Sequence, residues 1–476
     1  MEQNDKTKEL ETRPIKRLLW EYAVPAVASQ VVTSVYNIVD SIFLGNSSDG
    51  HGTLYLAALA ITFPIMNIIH AFGSLVGAGS SARMSIVLGR KDVRWAEKIL
   101  GNTMLLTFFF GFLFVSAGYI WMKPILMLFG ASPQSIGYAC QYMDVVLPGM
   151  FLVTMTYNLT GLIRASGYPM KAMWIMIGGA IANIFLDYLL INRMGLGVVG
   201  AAWGTTISMA GTAVVSVIHF VKPSSFIRFH SHAWAPKLYI FRNILAIGIS
   251  PFSMNVAGFA VVAVLNFQLS KYGGDNAVAV YGVVNRAAGL ILMMFLGVCQ
   301  GMQPIAGYNY GACRNDRLKE VYMLTMNVCI SLGLIGMMVS MIFPRAIISC
   351  FNSEETILAM GVPALRYLMV FAPLIAFTIT NSQLFQSIDQ PWIAIVTSLS
   401  RQVIFLIPIS LILPGLLFSK TGDGVTGVWL SCAVCDVLGA TLSAILLVTH
   451  RQVFRVGYQP PVRRLRKEAG PKKLKE

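Results

Sequence analysis

The chain has 476 residues, of which 56% are hydrophobic and only 12% are charged, and its mean hydropathy is +0.66. This much apolar surface exceeds what one water-soluble core could bury, so the composition excludes a soluble protein and predicts an integral membrane protein. We attribute the formal net charge of +15 to basic residues in the cytoplasmic loops and in a tail that contacts anionic lipid head groups. We expect no nucleic-acid partner.

Twelve apolar segments are long enough to cross a bilayer, and in lipid such segments form helices because every backbone group is then satisfied within the segment. The sequence therefore predicts an all-α integral membrane fold. In chain order the predicted spans are residues 18–44, 55–81, 99–121, 137–163, 169–191, 196–221, 244–270, 277–305, 321–343, 357–388, 392–415 and 424–448.

The orientation follows from the distribution of basic residues. Of the 36 Lys and Arg residues, 28 fall on the side that holds both termini and five on the other side. Because loops rich in Lys and Arg stay in the cytoplasm, we expect both termini to be cytoplasmic and the protein to lie in the cell (inner) membrane. The basic tail, residues 449–476, should then lie against membrane lipid.

The two halves of the chain carry proline and glycine residues at corresponding positions. Pro25 matches Pro251, Gly73 matches Gly297, and Pro169 matches Pro391, all at offsets of 222 to 226 residues. A constant offset indicates a duplicated unit, and an even number of spans per copy predicts two six-helix bundles related by a pseudo-two-fold axis along the membrane normal. The predicted segments are a cytoplasmic N-terminus (1–17), an N-terminal bundle (18–221), a linker (222–243), a C-terminal bundle (244–448) and the tail (449–476).

Two acids stand inside predicted spans, near the outer end of each: Asp40 in the first and Asp187 in the fifth. A carboxylate at membrane depth costs about 2.5 to 3.5 kcal/mol, so such residues indicate function. Asn183 is four residues before Asp187 and shares its helix face. Burial and a neighbouring like charge both favour the protonated form of a carboxyl, which suits proton coupling. The alternative is interhelical hydrogen bonding by these groups, which contributes only about 0.6 to 2 kcal/mol.

Four segments carry a resemblance to a known family. They are YNIVDSIFLG at residues 36–45, RASGYP at 164–169, ANIFLDYLLI at 182–191 and GVCQGMQPIAGYNYG at 297–311. With these in order, the chain resembles the MATE family of multidrug and toxin extrusion transporters. Within that family it is most similar to the DinF-like branch and its MepA-type exporters. The resemblance implies a cation-coupled antiporter that exports lipophilic, often cationic drugs or toxic metabolites by alternating access.

The resemblance also implies site residues. In the family the acidic cluster of the N-terminal bundle is the proposed cation site, and its matches here are Asp40, Asn183 and Asp187, with Thr205 or Thr206 as a further member. Bending of the first helix at its proline is the proposed response to protonation, and the matching residue is Pro25. The chain's own residues add Asn37, beside Asp40, and Asp436, near mid-membrane in the twelfth span, as candidate cation or substrate groups.

We expect H+ to be the coupling ion, with Na+ at Asp40, Asn183 and Asp187 as the alternative, because the same oxygens would suit either ion. The sodium-type branch resembling NorM has an acid in its seventh helix, and residues 251–270 here have none. No phosphate-binding loop motif occurs, so an ion gradient must supply the energy. We expect no cofactor and no enzymatic activity. The expected partners are small-molecule drugs and membrane lipid, and we expect a monomer.

Two other functions share some of these features. A lipid or polysaccharide-precursor flippase of the same superfamily would need several basic residues within the spans, and Arg286, Arg366 and Arg401 are available. A membrane-embedded enzyme would need clustered acids or a Ser/His pair, whereas the six histidines are scattered, with His230 and His232 in the linker.

Overall fold

The structure is a computed structural model that describes residues 7–45, 52–223, 225–351 and 354–455. Within these ranges the regular secondary structure is helical, with no β-strand. The predicted all-α fold is therefore confirmed. Most of the basic tail and the first six residues lie outside the described ranges.

The first half of the chain supplies one helical bundle. Its helices are α1 (Lys8–Thr12), α2 (Ile15–Gly45), α3 (Gly52–Gly89), α4 (Val93–Leu128), α5 (Ile136–Ala165), α6 (Pro169–Asp187) and α7 (Gly197–Val221). We call α2 to α7 the N-lobe. The α6 helix continues as a π-helical segment, Tyr188–Arg193.

The second half supplies the other bundle, the C-lobe. Its helices are α8 (Leu238–Gly311), α9 (Asn315–Ile342), α10 (Pro344–Ser349), α11 (Glu355–Met369), α12 (Ala372–Ser387), α13 (Pro391–Leu399), α14 (Ile407–Thr421) and α15 (Gly424–Thr449). A π-helical segment, Ser400–Leu406, joins α13 to α14. Residues 222–237 connect the lobes and contain a short 3₁₀ turn, Ser231–Trp234. We call the end of the molecule where this connection lies the linker face.

The described helices account for twelve membrane crossings. Ten helices are each long and apolar enough to span a bilayer, and the α11 and α12 pair, bent by 46°, forms an eleventh span. The 74-residue α8 holds two crossings, because Gly274 interrupts it with φ +66° and ψ −163°, a backbone conformation open only to glycine. The predicted spans 244–270 and 277–305 therefore meet at a single residue instead of a loop.

Several helices extend beyond the predicted spans. The basic stretch 82–98 was predicted to lie between spans, but α3 continues to Gly89 and α4 begins at Val93, after Asp92 caps it by accepting a hydrogen bond from the Trp95 amide at 3.1 Å. Only three residues form the turn. Hydropathy misses these helix ends because polar side chains such as Arg83, which is only 4% exposed, are buried against the other lobe.

Apolar side chains also cover the outside of the bundle. On α4, Phe109, Phe112, Leu113 and Ile120 lie on one helix face and are 46 to 78% exposed. An apolar stripe of this size on a helix indicates contact with lipid. The chain is thus a multi-pass membrane protein.

The two lobes share a core at the linker face and separate towards the opposite end. One cluster of buried apolar residues joins both lobes and includes Met84 and Leu162 of the N-lobe with Phe295 and Tyr308 of the C-lobe. At the opposite end each lobe has its own cluster in the described residues. The molecule is therefore closed at the linker face.

Glycines make this closure tight. A methyl group on Gly248 of α8 would lie 1.7 Å from the carbonyl oxygen of Leu75 in α3, and one on Gly311 would lie 2.0 Å from the carbonyl oxygen of Ile86. Any larger residue would force the lobes apart, because both obstacles are backbone atoms.

Candidate cation-coupling site

The two predicted acids lie together at the end of the N-lobe away from the linker face. Asp40 stands five residues before the end of α2, or about 7.5 Å along the axis, and Asp187 is the last α-helical residue of α6. Their exposed fractions are 8% and 0%. They are close enough for the charge of Asp40 to act on Asp187.

The helix that carries Asp187 changes type directly after it, where the π-helical segment Tyr188–Arg193 begins. Such segments shift the direction of the following side chains and occur frequently at functional sites. The neighbouring α7 also adapts to Asp187. A methyl group on Gly204 would lie 2.2 Å from the Oδ1 atom of Asp187, so any larger residue would displace the carboxyl from its present position against α7.

Asn183 and Thr205 complete one wall of the site. Asn183 is fully buried, and its Nδ2 atom donates a hydrogen bond to the Oγ1 atom of Thr205 at 3.4 Å. The predicted alternative, Thr206, faces a different helix: its hydroxyl donates to the carbonyl oxygen of Val145 in α5 at 3.3 Å. The structure thus brings Thr205, and not Thr206, to Asn183.

Four buried oxygens in this site have no hydrogen-bond partner among the described residues. They are Oδ1 of Asp40, Oδ1 of Asn183 and both carboxyl oxygens of Asp187. Buried polar atoms are almost always paired, and each exception calls for an explanation such as a bound ion, water or proton. Oxygen donors on three residues suit a bound proton or a small hard cation.

Sequence reasoning missed Tyr142. This tyrosine of α5 is 2% exposed and lies close enough to Asp40, Asp187 and Tyr36 for their charges to act on its phenol. The sequence contained one indication of Tyr142. Because successive spans alternate in direction, the fourth span begins at the outer side of the membrane, at the same depth as Asp40 and Asp187. Tyrosine is too common at that level to be singled out without coordinates.

Two other predicted residues of the first span give less information. The side chain of Asn37 lies outside the described part of the structure. The α2 helix is continuous through Pro25, whose carbonyl oxygen accepts a hydrogen bond from Ser29 at 2.8 Å. Proline has no amide hydrogen, so one backbone bond of α2 is missing at this point.

Asp436 has a partner that the sequence did not reveal. In the C-lobe it forms an ion pair with Arg401 of the second π-helical segment, and the side chains are 1% and 23% exposed. The structure therefore places Asp436 in the other lobe from Asp40 and Asp187, with its charge already balanced by a guanidinium group. The other carboxyl oxygen, Oδ2, has no hydrogen-bond partner among the described residues.

Comparison with known sequences identifies both halves of the chain. A sequence model of the family described as MatE matches residues 25–189 and matches again at residues 249–412. The two matches are displaced by about the offset that the sequence landmarks predicted, so each half carries the family's sequence.

Individual relatives agree over nearly the whole length. The multidrug export protein MepA of Staphylococcus aureus strain NCTC 8325 is 26% identical over 441 residues, which are 92% of this chain and 94% of MepA.

Solved structures support the same fold. A transporter of the MOP superfamily from Pyrococcus furiosus superposes with a TM-score of 0.86 at 23% identity, covering 94% of this chain and 98% of that one. A MATE structure in complex with the compound MaD3S superposes with a TM-score of 0.85 at 24% identity, covering 94% and 97%. Both have twelve helices in two bundles, and this agrees with the predicted architecture.

Proposed function

The chain belongs to the MatE family and is a transporter rather than an enzyme, and from this premise we propose that it exports drugs in exchange for protons. The name of MepA states that this relative exports multiple drugs, and the cargo we propose for this chain is lipophilic, often cationic molecules. The prediction that the chain is not an enzyme is confirmed, and we set aside the membrane-embedded enzyme.

The observation that carries the proposal is the set of unpaired oxygens on Asp40, Asn183 and Asp187. Two buried carboxyls at the same end of the N-lobe cannot both stay charged at low cost, so we expect a cation or a proton to accompany them. A proton fits with the fewest requirements, because it needs no complete coordination shell. Na+ at the same oxygens is the alternative.

The transport cycle would use the division between the lobes. The shared core closes the linker face, while the separate cores at the other end leave the lobes free to part there. We assign the linker face to the cytoplasm, because most Lys and Arg residues lie in the termini and in the segments between spans on that side of the membrane. The structure would then represent the state that opens away from the cytoplasm, and export would require the linker face to open in turn.

The function is tested by ethidium export from cells that make the protein, under a proton gradient and a sodium gradient separately. We expect a protonophore to abolish export, and we expect an ionophore that dissipates only the sodium gradient to leave it unchanged. The reverse pattern would assign Na+ as the coupling ion. No export of ethidium or a fluoroquinolone under either gradient, with transfer of labelled lipid between leaflets instead, would favour the flippase.

An ion pair at the linker face should stabilise the closed state. Arg83 of α3 contacts Asp389, in the turn between α12 and α13, with 2.6 Å between Nη1 and Oδ2, and the two side chains are 5% and 20% exposed. Asp389 has φ +60°, which Asn tolerates well. We therefore expect Asp389→Asn to change the charge without straining the turn, and to favour opening by about 1 to 3 kcal/mol.

Spin labels would measure this shift. The labels would be placed on Arg94→Cys, exposed on α4, and on the native Cys313 of the C-lobe, with Cys140 and Cys350 replaced by serine. We expect Asp389→Asn to add a longer distance to the distribution and to slow export. Asp316→Asn, an exposed acid of the C-lobe, is the matched control. Identical distance distributions in the two variants would refute the role of the pair.

A further inference from the structure

Three metal-ligating side chains converge at the linker face, far from the paired acids. Glu97 lies in the second turn of α4, and its side chain is 8% exposed. His230 and His232 belong to the connection between the lobes, His230 directly before the 3₁₀ turn Ser231–Trp234 and His232 within it. The drug-export proposal uses none of these residues.

Contacts to its backbone hold the connection between the lobes against α4, so the fold itself brings His230 and His232 to Glu97. A methyl group on Gly101 would lie 2.2 Å from the carbonyl oxygen of Ala233. The side chain of the next residue, Asn102, donates to the carbonyl oxygen of Ala235 at 3.2 Å and accepts from the Lys237 amide at 2.9 Å. These contacts fix the two histidines over the same face of α4 that carries Glu97.

The donor atoms are close enough to share one ion. The Nδ1 atom of His230 lies 2.9 Å from Oε1 of Glu97, and the Nε2 atom of His232 lies 2.9 Å from Oε2. One donor atom from each residue can be chosen so that all three lie within 4.8 Å of one another. In a tetrahedral zinc site with bonds of about 2.0 to 2.2 Å the ligands stand about 3.3 Å apart, so only side-chain adjustment is needed.

Hydrogen bonding does not account for the whole cluster. The buried Nε2 atom of His232 has no hydrogen-bond partner among the described residues, since its contact with Glu97 lacks hydrogen-bond geometry. Two nearby lysines, Lys98 and Lys237, lie over the ring of Trp95, at 5.0 and 5.7 Å from its centre. Within the described residues, the two imidazoles are the recorded partners of the Glu97 carboxylate.

We propose that Glu97, His230 and His232 bind a divalent transition-metal ion of the zinc class. Two imidazole nitrogens and one carboxylate form a donor set that zinc, copper and nickel prefer, whereas magnesium and calcium require oxygen ligands. The histidine side chains are 44% and 34% exposed, so solvent can supply the fourth ligand of a tetrahedral ion.

The bound ion would clamp the connection between the lobes to the N-lobe. Residues 222–237 are the segment through which the C-lobe follows α7 in the chain, and the ion would tie their middle to the start of α4. We therefore expect zinc to stabilise the folded protein, because it binds a site that the unfolded chain does not form.

The test is direct zinc binding to the full-length protein, purified in detergent through a tag without histidines and stripped with a chelator. Competition with a chromophoric zinc indicator and elemental analysis are expected to give one zinc per chain. We expect Glu97→Gln and the double variant His230→Ala with His232→Ala to lose this stoichiometric binding. His450→Ala, which removes a linker-face histidine outside the cluster, should bind zinc as the wild type does.

Two further measurements separate binding from misfolding. All variants should elute as the wild type on gel filtration and share its melting temperature in the presence of chelator, and zinc should then raise that temperature only where the site is intact. Cobalt(II) added to the wild type should give the strong visible bands of a four-coordinate site. The proposal is overturned if the wild type binds no stoichiometric zinc, or if Glu97→Gln and the double histidine variant bind it equally well.

Discussion

Asp187→Asn and Asp40→Asn are each expected to reduce ethidium export to the level of cells that lack the protein. Asparagine has the size of aspartate but cannot carry a titratable proton, so the substitution removes the coupling chemistry and little else. The protein should remain folded, because an asparagine amide can donate to the oxygens of Asp40 and Asp187 that have no partner among the described residues. Export would be measured at matched abundance in the membrane.

Asp144→Asn is the matched control for this pair. Asp144 lies on α5 near the same end of the N-lobe but is exposed, so its neutralisation should leave export unchanged. Thr205→Val replaces only the hydroxyl that accepts from Asn183 with a methyl group and should cause a partial loss. Wild-type export by both aspartate variants would remove Asp40 and Asp187 from the mechanism, whatever the cargo proves to be.

The sequence was sufficient to predict the fold because insertion into a membrane requires long apolar segments, which are easily recognised in a sequence. A span needs about 20 apolar residues, and the duplicated Gly and Pro landmarks give the relation between the halves. Helix ends were less predictable. Gly274 replaces a loop by one residue, and α3 continues to Gly89 through polar side chains that are buried against the C-lobe. Packing between lobes decides such ends, and hydropathy contains no information about it.

The same limit applies to the candidate site. Asp40 and Asp187 could be singled out because a carboxylate in a span is rare and costly. Their companions could not. Tyr142 belongs to a residue type that is common at the membrane interface, and the choice between Thr205 and Thr206 depends on which way α7 is turned. Residues distant in the chain, such as Glu97 with His230 and His232, meet only through the path of the connection between the lobes.

Asp436→Asn is expected to destabilise the protein strongly, even though Asp436 lies outside the paired-acid site. Arg401 would keep its charge in the C-lobe without the carboxylate that now pairs with it. Removing one partner of a buried ion pair costs about 3 to 5 kcal/mol, mainly because the remaining charge is left uncompensated. The measurement is the midpoint of thermal unfolding in detergent, followed by loss of monodisperse protein on gel filtration, with Asp144→Asn as the exposed control.

A double variant distinguishes a structural pair from a cation or drug site at Asp436. Replacing both partners by apolar residues, Arg401→Met with Asp436→Leu, removes both charges together and should recover most of the stability that Asp436→Asn loses. If the recovered protein also exports ethidium at the wild-type rate, the pair serves the packing of α15 against the π-helical segment. If it is stable but inactive, Asp436 contributes to transport, and the exchange would then involve charged groups in both lobes.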